Sequence, residues 1–338
     1  MTPKRLTPGA ERAASLAGLL TDSFEEAAEK VLPELSGLHL SETTVQRTTE
    51  AAGQRVGEHL DQGKVLGGPT PWKWHKDAEG QTCAYISLDA TGVRQQASGG
   101  GPCEGRMPYV GMIYNPVPEL PEGSPHAPPP KAQMQARYVA GLYSLETLSQ
   151  VMRRQGAQVG MDRADRWIGL TDGGNGLESF VQRSFPRVEA VILDFWHVSD
   201  HLGDLARALH PLDEDNAKEQ KGQWCHVLKH EGGAALITEL ATMPLPKGRP
   251  AFRTKREEVL NYMRNNVERM NYPAYLAKGW LIGSGSVESA CKTVVAQRLK
   301  LAGMRWREKG TDAVCHLRAL YKSERTQWLS FWRRNVQY

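Results

Sequence analysis

Hydrophobic positions change period along this chain, and the changes divide it. Over the first sixty residues, apolar side chains recur at helical spacing in AERAASLAGLL and DSFEEAAEKVL. After a break at Pro33 and Gly37, SETTVQRTTEAAGQRVGEHL predicts a further helix with Ser41 as its N-cap. The period then falls to two. CAYISLDATGVRQQ sets Ala84, Ile86 and Leu88 on one face and Tyr85, Ser87 and Asp89 on the other, which predicts a strand. GGGPCEG predicts a turn, MPYVGMIYNP a second strand and ARYVAGLY a third. Residues 116–130 hold seven prolines, too many for a regular element, and predict an exposed loop. Next come a helix in LETLSQVMRRQGAQ, a fourth strand in RWIGL ending at Thr171 and Asp172, and a helix in GLESFVQRSFP. A fifth strand, VEAVIL, ends at Asp194. Residues 195–280 read as helical with an interruption at MPLPKGRP, and GSGSVESACKTVVAQRLK predicts a late helix after a glycine-serine turn.

Three strands with short connections, then helix, strand, helix, strand and a late helix, is the order of an α/β ribonuclease H-like fold. Such a fold has a mixed sheet with flanking helices, and its crossover connections are right-handed. The first and fourth strands then lie side by side, so Asp89 and Asp172 are expected to meet. Four segments are expected: a helical N-terminal arm at 1–66, the first part of the catalytic domain at 67–199, an all-helical insertion domain at 200–281, and the final catalytic helix with basic C-terminal helices at 282–338.

At 338 residues, 40% hydrophobic and with a mean hydropathy of −0.50, the chain is long enough for two or three domains. It has no apolar run near the ~18–20 residues that cross a bilayer. Its five cysteines form no CxxC pair, so neither a zinc ribbon nor a disulfide scaffold is expected. A reduced, cytoplasmic, soluble protein is the expectation.

Charge is unevenly placed: −3 over residues 1–66, −1 over 67–290, and +8 over 291–338. In that last segment the cations interleave with Trp306, Trp328 and Trp332. They make either a surface that meets phosphates and stacks on bases, or amphipathic helices with tryptophans in the core. The helix opening with Thr44 and Arg47 has the outline of a helix-turn-helix that contacts DNA. A plain helical hairpin is the other reading, which the arm's negative charge favours.

Asp89 interrupts an apolar strand, where an unpaired carboxylate is costly if buried. Asp172 lies in TDGGNG and Glu288 in GSGSVES. Taken singly, each has an ordinary explanation as a turn or helix-start acid. Together they supply the carboxylates that two-metal phosphodiester chemistry requires. Asp194 also ends a strand, but RWIGL directly follows the crossover helix and makes Asp172 the expected partner of Asp89. In DFWHVSDH, His197 and His201 share a helix face; Val198 stands where a metalloprotease carries Glu, so a hydrogen-bonded Asp194/His197 pair is expected rather than zinc.

Three strings resemble a known family: SLDATGV, LTDGGNGLESFVQRSFPRVEAVILDFWHVSDHL and GSGSVESACKTVVAQRLKLAGMRWREKGTDAVCHLRAL. They are similar to bacterial insertion-sequence transposases of the Kra type, allied to Mutator-like DDE transposases, over residues ~10 to ~335. The resemblance implies Asp89, Asp172 and Glu288 as a DDE triad binding Mg²⁺ or Mn²⁺, with Asp194 and His197 supporting the site. It implies cleavage of element ends and their joining to target DNA. The implied partners are double-stranded DNA, both terminal repeats and target, and further copies in a homodimer or larger assembly; no membrane is implied. Arg298, Lys300, Arg305 and Arg307, which follow Glu288, are the expected DNA contacts alongside Thr44 and Arg47. Members of the family often begin with a longer, cysteine-paired segment than this chain has. A shortened copy that only binds DNA is therefore one rival expectation, and a nuclease without strand transfer is another.

Overall fold

A computed structural model describes residues 6–116, 134–174, 176–246, 248–283 and 285–334. The chain is a mixed α/β protein with a mixed sheet. The strands are β1 (His75–Lys76), β2 (Thr82–Ala90), β3 (Val93–Gln96), β4 (Pro102–Arg106), β5 (Tyr109–Asn115), β6 (Gln135–Gly141), β7 (Arg166–Thr171) and β8 (Val188–Leu193). The helices before β7 are α1 (Pro8–Leu20), α2 (Phe24–Glu26), α3 (Leu32–Ser36), α4 (Glu42–Asp61) and α5 (Leu145–Gln158). Those after it are α6 (Leu177–Ser184), α7 (Phe195–Leu209), α8 (Glu214–His230), α9 (Gly233–Thr242), α10 (Pro250–Asn265), α11 (Tyr272–Ala277), α12 (Gly285–Ala290), α13 (Gln297–Leu299), α14 (Glu308–Lys322) and α15 (Arg325–Arg334). The expected proline-rich loop lies outside the described residues beyond Pro116.

Two compact units form, one from residues 1–73, 88–163 and 287–338, the other from 74–87 and 164–286. The boundaries differ from the four expected segments. The arm is not a separate body, because the apolar stripe of α4 (Val45, Ala52, Val56, Leu60) needs cover and α14 supplies it. The two helices approach too closely for side chains at the crossing. A Cβ at Gly53 would stand 2.0 Å from the carbonyl oxygen of Ala313.

In the first unit, Thr7 caps α1 through Ala10 N–H at 3.3 Å, with Pro8 in the first turn. Ser41 caps α4 through Thr44 N–H at 3.3 Å, as its sequence predicts. Gly37 ends α3 at φ +65°, a left-handed conformation open to glycine. β5 and β6 pair antiparallel from Tyr109↔Gly141 to Asn115↔Gln135, and the Leu88–Ala90 end of β2 follows β5 in the strand order. α5 covers β5 and β6, and α14 packs on β6. The turn predicted at 99–105 is shorter than expected: Ala97 N–H meets the Gly101 carbonyl at 2.8 Å, and β4 forms beside β3. All five residues of β4 are exposed, so no apolar alternation marked it. Trp306, Trp328 and Trp332 are 6%, 4% and 4% exposed, which makes the tryptophans of the basic segment core residues rather than a base-stacking surface.

In the second unit, β1 pairs antiparallel with β2 at Thr82 and Cys83, and β7 and β8 follow β2 in the strand order. β7 and β8 run parallel, joined through α6, as expected for a crossover. Both faces of β2 are covered, although its alternation suggested one polar face. Tyr85 and Ser87 are fully buried, and the Tyr85 hydroxyl accepts from Leu281 N–H at 3.2 Å. The Asp77 carboxylate gathers Trp280 Nε1–H at 3.1 Å, Arg166 at 2.9 Å and two backbone N–H groups. Burial raises its pKa, but these bonds outweigh burial and hold it below the usual value. Residues 195–280 are helical as predicted, α7 packing against α8 and α10. Among the described residues no helix is long and apolar enough to cross a membrane.

Candidate functional site

In the first unit, Asp89 stands half-buried near the end of β2. One carboxylate oxygen accepts from Ala90 N–H at 2.6 Å, and the other accepts from the Cys291 thiol at 3.2 Å. Cys291 opens a π-helical stretch, Cys291–Ala296, continuous with α12. Glu288, three residues earlier on the same run, is exposed. Residues three apart share a helix face, so the thiol fixes the Glu288-bearing helix against the strand that carries Asp89. Nothing marked Cys291 in advance except its spacing from Glu288.

The second unit holds Asp172 and Asp194 at the ends of β7 and β8. Asp172 is half-buried and turns the chain, its Oδ1 accepting from Gly174 N–H at 3.0 Å. Asp194 is 1% exposed and caps α7, its Oδ1 accepting from Trp196 N–H at 2.9 Å. His197 and His201 stand edge to face at 5.0 Å, and Tyr262 lies 4.5 Å from the His201 ring. Burial lowers the His201 pKa, and the neighbouring His197 lowers it further. Burial raises the pKa of Tyr262, and the charges of Asp172 and Asp194 act in the same sense against an opposing Arg269.

Arg269 had no signal in the sequence, yet it organises this end of the unit. It is 5% exposed and donates to the Thr171 hydroxyl at 2.6 Å and to the carbonyls of Val191 (3.1 Å), Thr171 (3.2 Å) and Asp172 (3.3 Å). One buried guanidinium thereby satisfies strand-end carbonyls of both β7 and β8. Among the described residues, no three His, Cys, Asp or Glu side chains stand close enough together to hold an ion.

The expected DNA contacts separate. Arg298 is corrected: it is 1% exposed, its Nε donates to the Gly18 carbonyl at 2.8 Å, and its guanidinium lies 4.4 Å from the Phe24 ring and 5.0 Å from the Trp306 ring. A side chain so enclosed has no face left for phosphate. Thr44 is half-buried with its hydroxyl on Ser41 Oγ at 2.8 Å, which makes it part of the cap of α4. Lys300 is exposed and donates to Thr91 Oγ1 at 3.0 Å.

Arg47, Arg305 and Arg307 are all exposed and line one groove in the first unit, with Lys309. Alternation in an extended segment explains the arrangement. Trp306 N–H bonds the Arg94 carbonyl at 3.1 Å and Gln96 N–H bonds the Trp306 carbonyl at 2.8 Å, so Trp306 turns inward and its arginine neighbours turn out. The α4 side supplies Thr43, Gln46, Arg47, Glu50 and Gln54. Lys309 was legible from its place after Arg307. Gln96, two hundred residues away in the chain, carried no local signal.

No family model matches the sequence, and no curated protein matches it significantly.

Proposed function

We propose that this chain is a DDE transposase of an insertion sequence, with a ribonuclease H-like catalytic sheet, that cleaves element ends and joins them to target DNA. The observation that carries the reading is the strand order. Counting the long strands along the chain, the first, β2, and the fourth, β7, are neighbours at its centre. Each is followed or ended by one of the carboxylates in question, Asp89 on β2 and Asp172 after β7. The contact of Cys291 with Asp89 adds the helix of Glu288 within the first unit.

Carboxylate oxygens at these three positions are hard donors that suit Mg²⁺ or Mn²⁺, and the thiol beside Asp89 acts as a proton donor rather than a ligand. Two divalent ions, when bound, supply charge neutralisation at the phosphate and activation of the attacking oxygen. Positioning of the DNA strand is then the main task left to the protein. Joining two element ends calls for at least two copies of the chain.

Calorimetric titration with Mn²⁺ tests the reading. Wild type should bind, and Asp172→Asn should bind far more weakly. Equal binding by both would remove Asp172 from the metal site. A labelled element end joined into a plasmid separates a transposase from a nuclease, which would release only cut ends.

A further inference from the structure

We propose that the groove between α4 and the Arg305–Gly310 segment holds the phosphate backbone of duplex DNA; the choice of DNA as the polyanion rests on the transposase reading. Arg47, Arg305, Arg307 and Lys309 converge there, and among the described residues none of the four has an acidic partner. Four cations facing a single acid leave a net positive field that opposes folding and attracts an anion. Among the described residues Glu50 is the one acid on the groove wall, and its Oε1 accepts from the Gln46 amide at 2.9 Å. The remaining Gln54, Gln96 and Thr43 offer neutral donors of the kind that contact phosphate and sugar. The groove also takes in Lys309 and Gly310, the first turn of the fifteen-residue helix α14, whose positive dipole end adds to the field.

Duplex fits better than single strand because, among the described residues, the groove offers no exposed aromatic face. Proteins that hold single strands stack bases on exposed rings. Here the one aromatic on the wall, Trp306, is 6% exposed, edge-on to Phe24 at 5.8 Å and covered by the Arg298 guanidinium. A backbone is what such a wall recognises.

The test is fluorescence anisotropy of the full chain with a labelled ~30-base-pair duplex between 50 and 200 mM salt. Each phosphate neutralised contributes about −0.9 to the slope of log K against log salt. Replacing two cations, Arg305→Gln with Arg307→Gln, should therefore flatten the slope by about 2 units and weaken binding roughly 12-fold more at 50 than at 200 mM. Arg47→Gln, on a different element, should flatten it by about 1. Arg253→Gln, an exposed side chain on α10 of the second unit, should leave it unchanged. All four side chains are exposed, so the variants should melt as wild type does. If wild type binds duplex and the groove variants keep its slope, the groove assignment fails while the transposase reading stands. If wild type binds no duplex, both fail. Tighter binding of a single strand of equal length would overturn the choice of duplex.

Discussion

Arg298 offers a clean separation between a structural and a DNA-binding role. Its guanidinium lies in the first unit against both Phe24 and Trp306, whose rings meet edge to face, with Nε on the Gly18 carbonyl at 2.8 Å. Replacing it with Ala removes a charged hydrogen bond worth about 1.5–3 kcal/mol and a desolvated cation–π contact worth about 2 kcal/mol. The opposing gain is relief from burying a charge. Burial, then the nearby Arg318, brings the Arg298 pKa down to about 10. Among the described residues its Nη2 also has no hydrogen-bond partner. The balance leaves Arg298→Ala less stable by about 2–4 kcal/mol, which in a unit of about 200 residues lowers the melting temperature by roughly 5–15 °C. Arg298→Met keeps most of the packing without the buried charge and should lose less. Thermal melting followed by tryptophan fluorescence measures both, and duplex binding is read below the melting point. If Arg298→Ala melted with wild type and yet lost its salt-dependent binding, the buried assignment would be refuted.

Gly53→Ala gains about 1 kcal/mol of helix propensity yet forces a methyl onto the Ala313 carbonyl, so overpacking of about 1–3 kcal/mol should make it net destabilising. Gly222→Ala, in α8 with nothing within 4 Å, should instead stabilise; equal shifts in urea midpoint would contradict the close helix approach. Burial lowers the pKa of His316, against the opposing charges of Asp312 and Asp61. The unfolded chain therefore takes up a proton near pH ~6.5 that the folded state still refuses, so stability is complete above that pH and falls below it. Melting at pH 7.5 and 5.5 should show this fall in wild type and a smaller one in His316→Gln, and identical falls would exclude His316 as a source. Under the proposed metal site, Cys291→Ala should weaken Mn²⁺ binding by roughly 10-fold and Cys291→Ser by less, because the thiol orients Asp89. Calorimetric affinities that matched wild type in both would remove that role.

The elements with strong, regular patterns were legible. RWIGL, VEAVIL and ARYVAGLY became β7, β8 and β6, and LETLSQVMRRQGAQ became α5. Those strands are short apolar runs bounded by polar turns, and α5 carries a single buried stripe, so local pattern and burial agree. β4 was missed because an exposed strand has no inner face to write into the sequence. The docking of α4 was missed for a different reason. It depends on glycines meeting the Ala313 backbone and the His316 ring, which are some 260 residues away. At the candidate site, the strand-end positions of Asp89 and Asp172 followed from topology, whereas the Arg269 clamp depends on a helix end that returns to β7 and β8 after a long excursion.

Segment charge was the least reliable guide, and the arginines show why. Residues 291–338 carry the chain's positive excess, but Arg298 and Arg318 are buried there, the latter donating to the carbonyls of Val294 at 2.8 Å and Leu19 at 2.5 Å. Both ends of those contacts lie inside the first unit, so these cations organise the arm's junction with the C-terminal helices rather than its surface. The groove meanwhile recruits Arg47 from an arm whose own charge is −3. A polyanion senses the field of side chains that folding leaves outside, and that field depends on alternation at Trp306 and on the exposed stripe of α4. The same residue type, seven positions apart at Arg298 and Arg305, therefore serves opposite ends: one satisfies backbone carbonyls in the core, the other stands exposed in solvent where an anion can reach it.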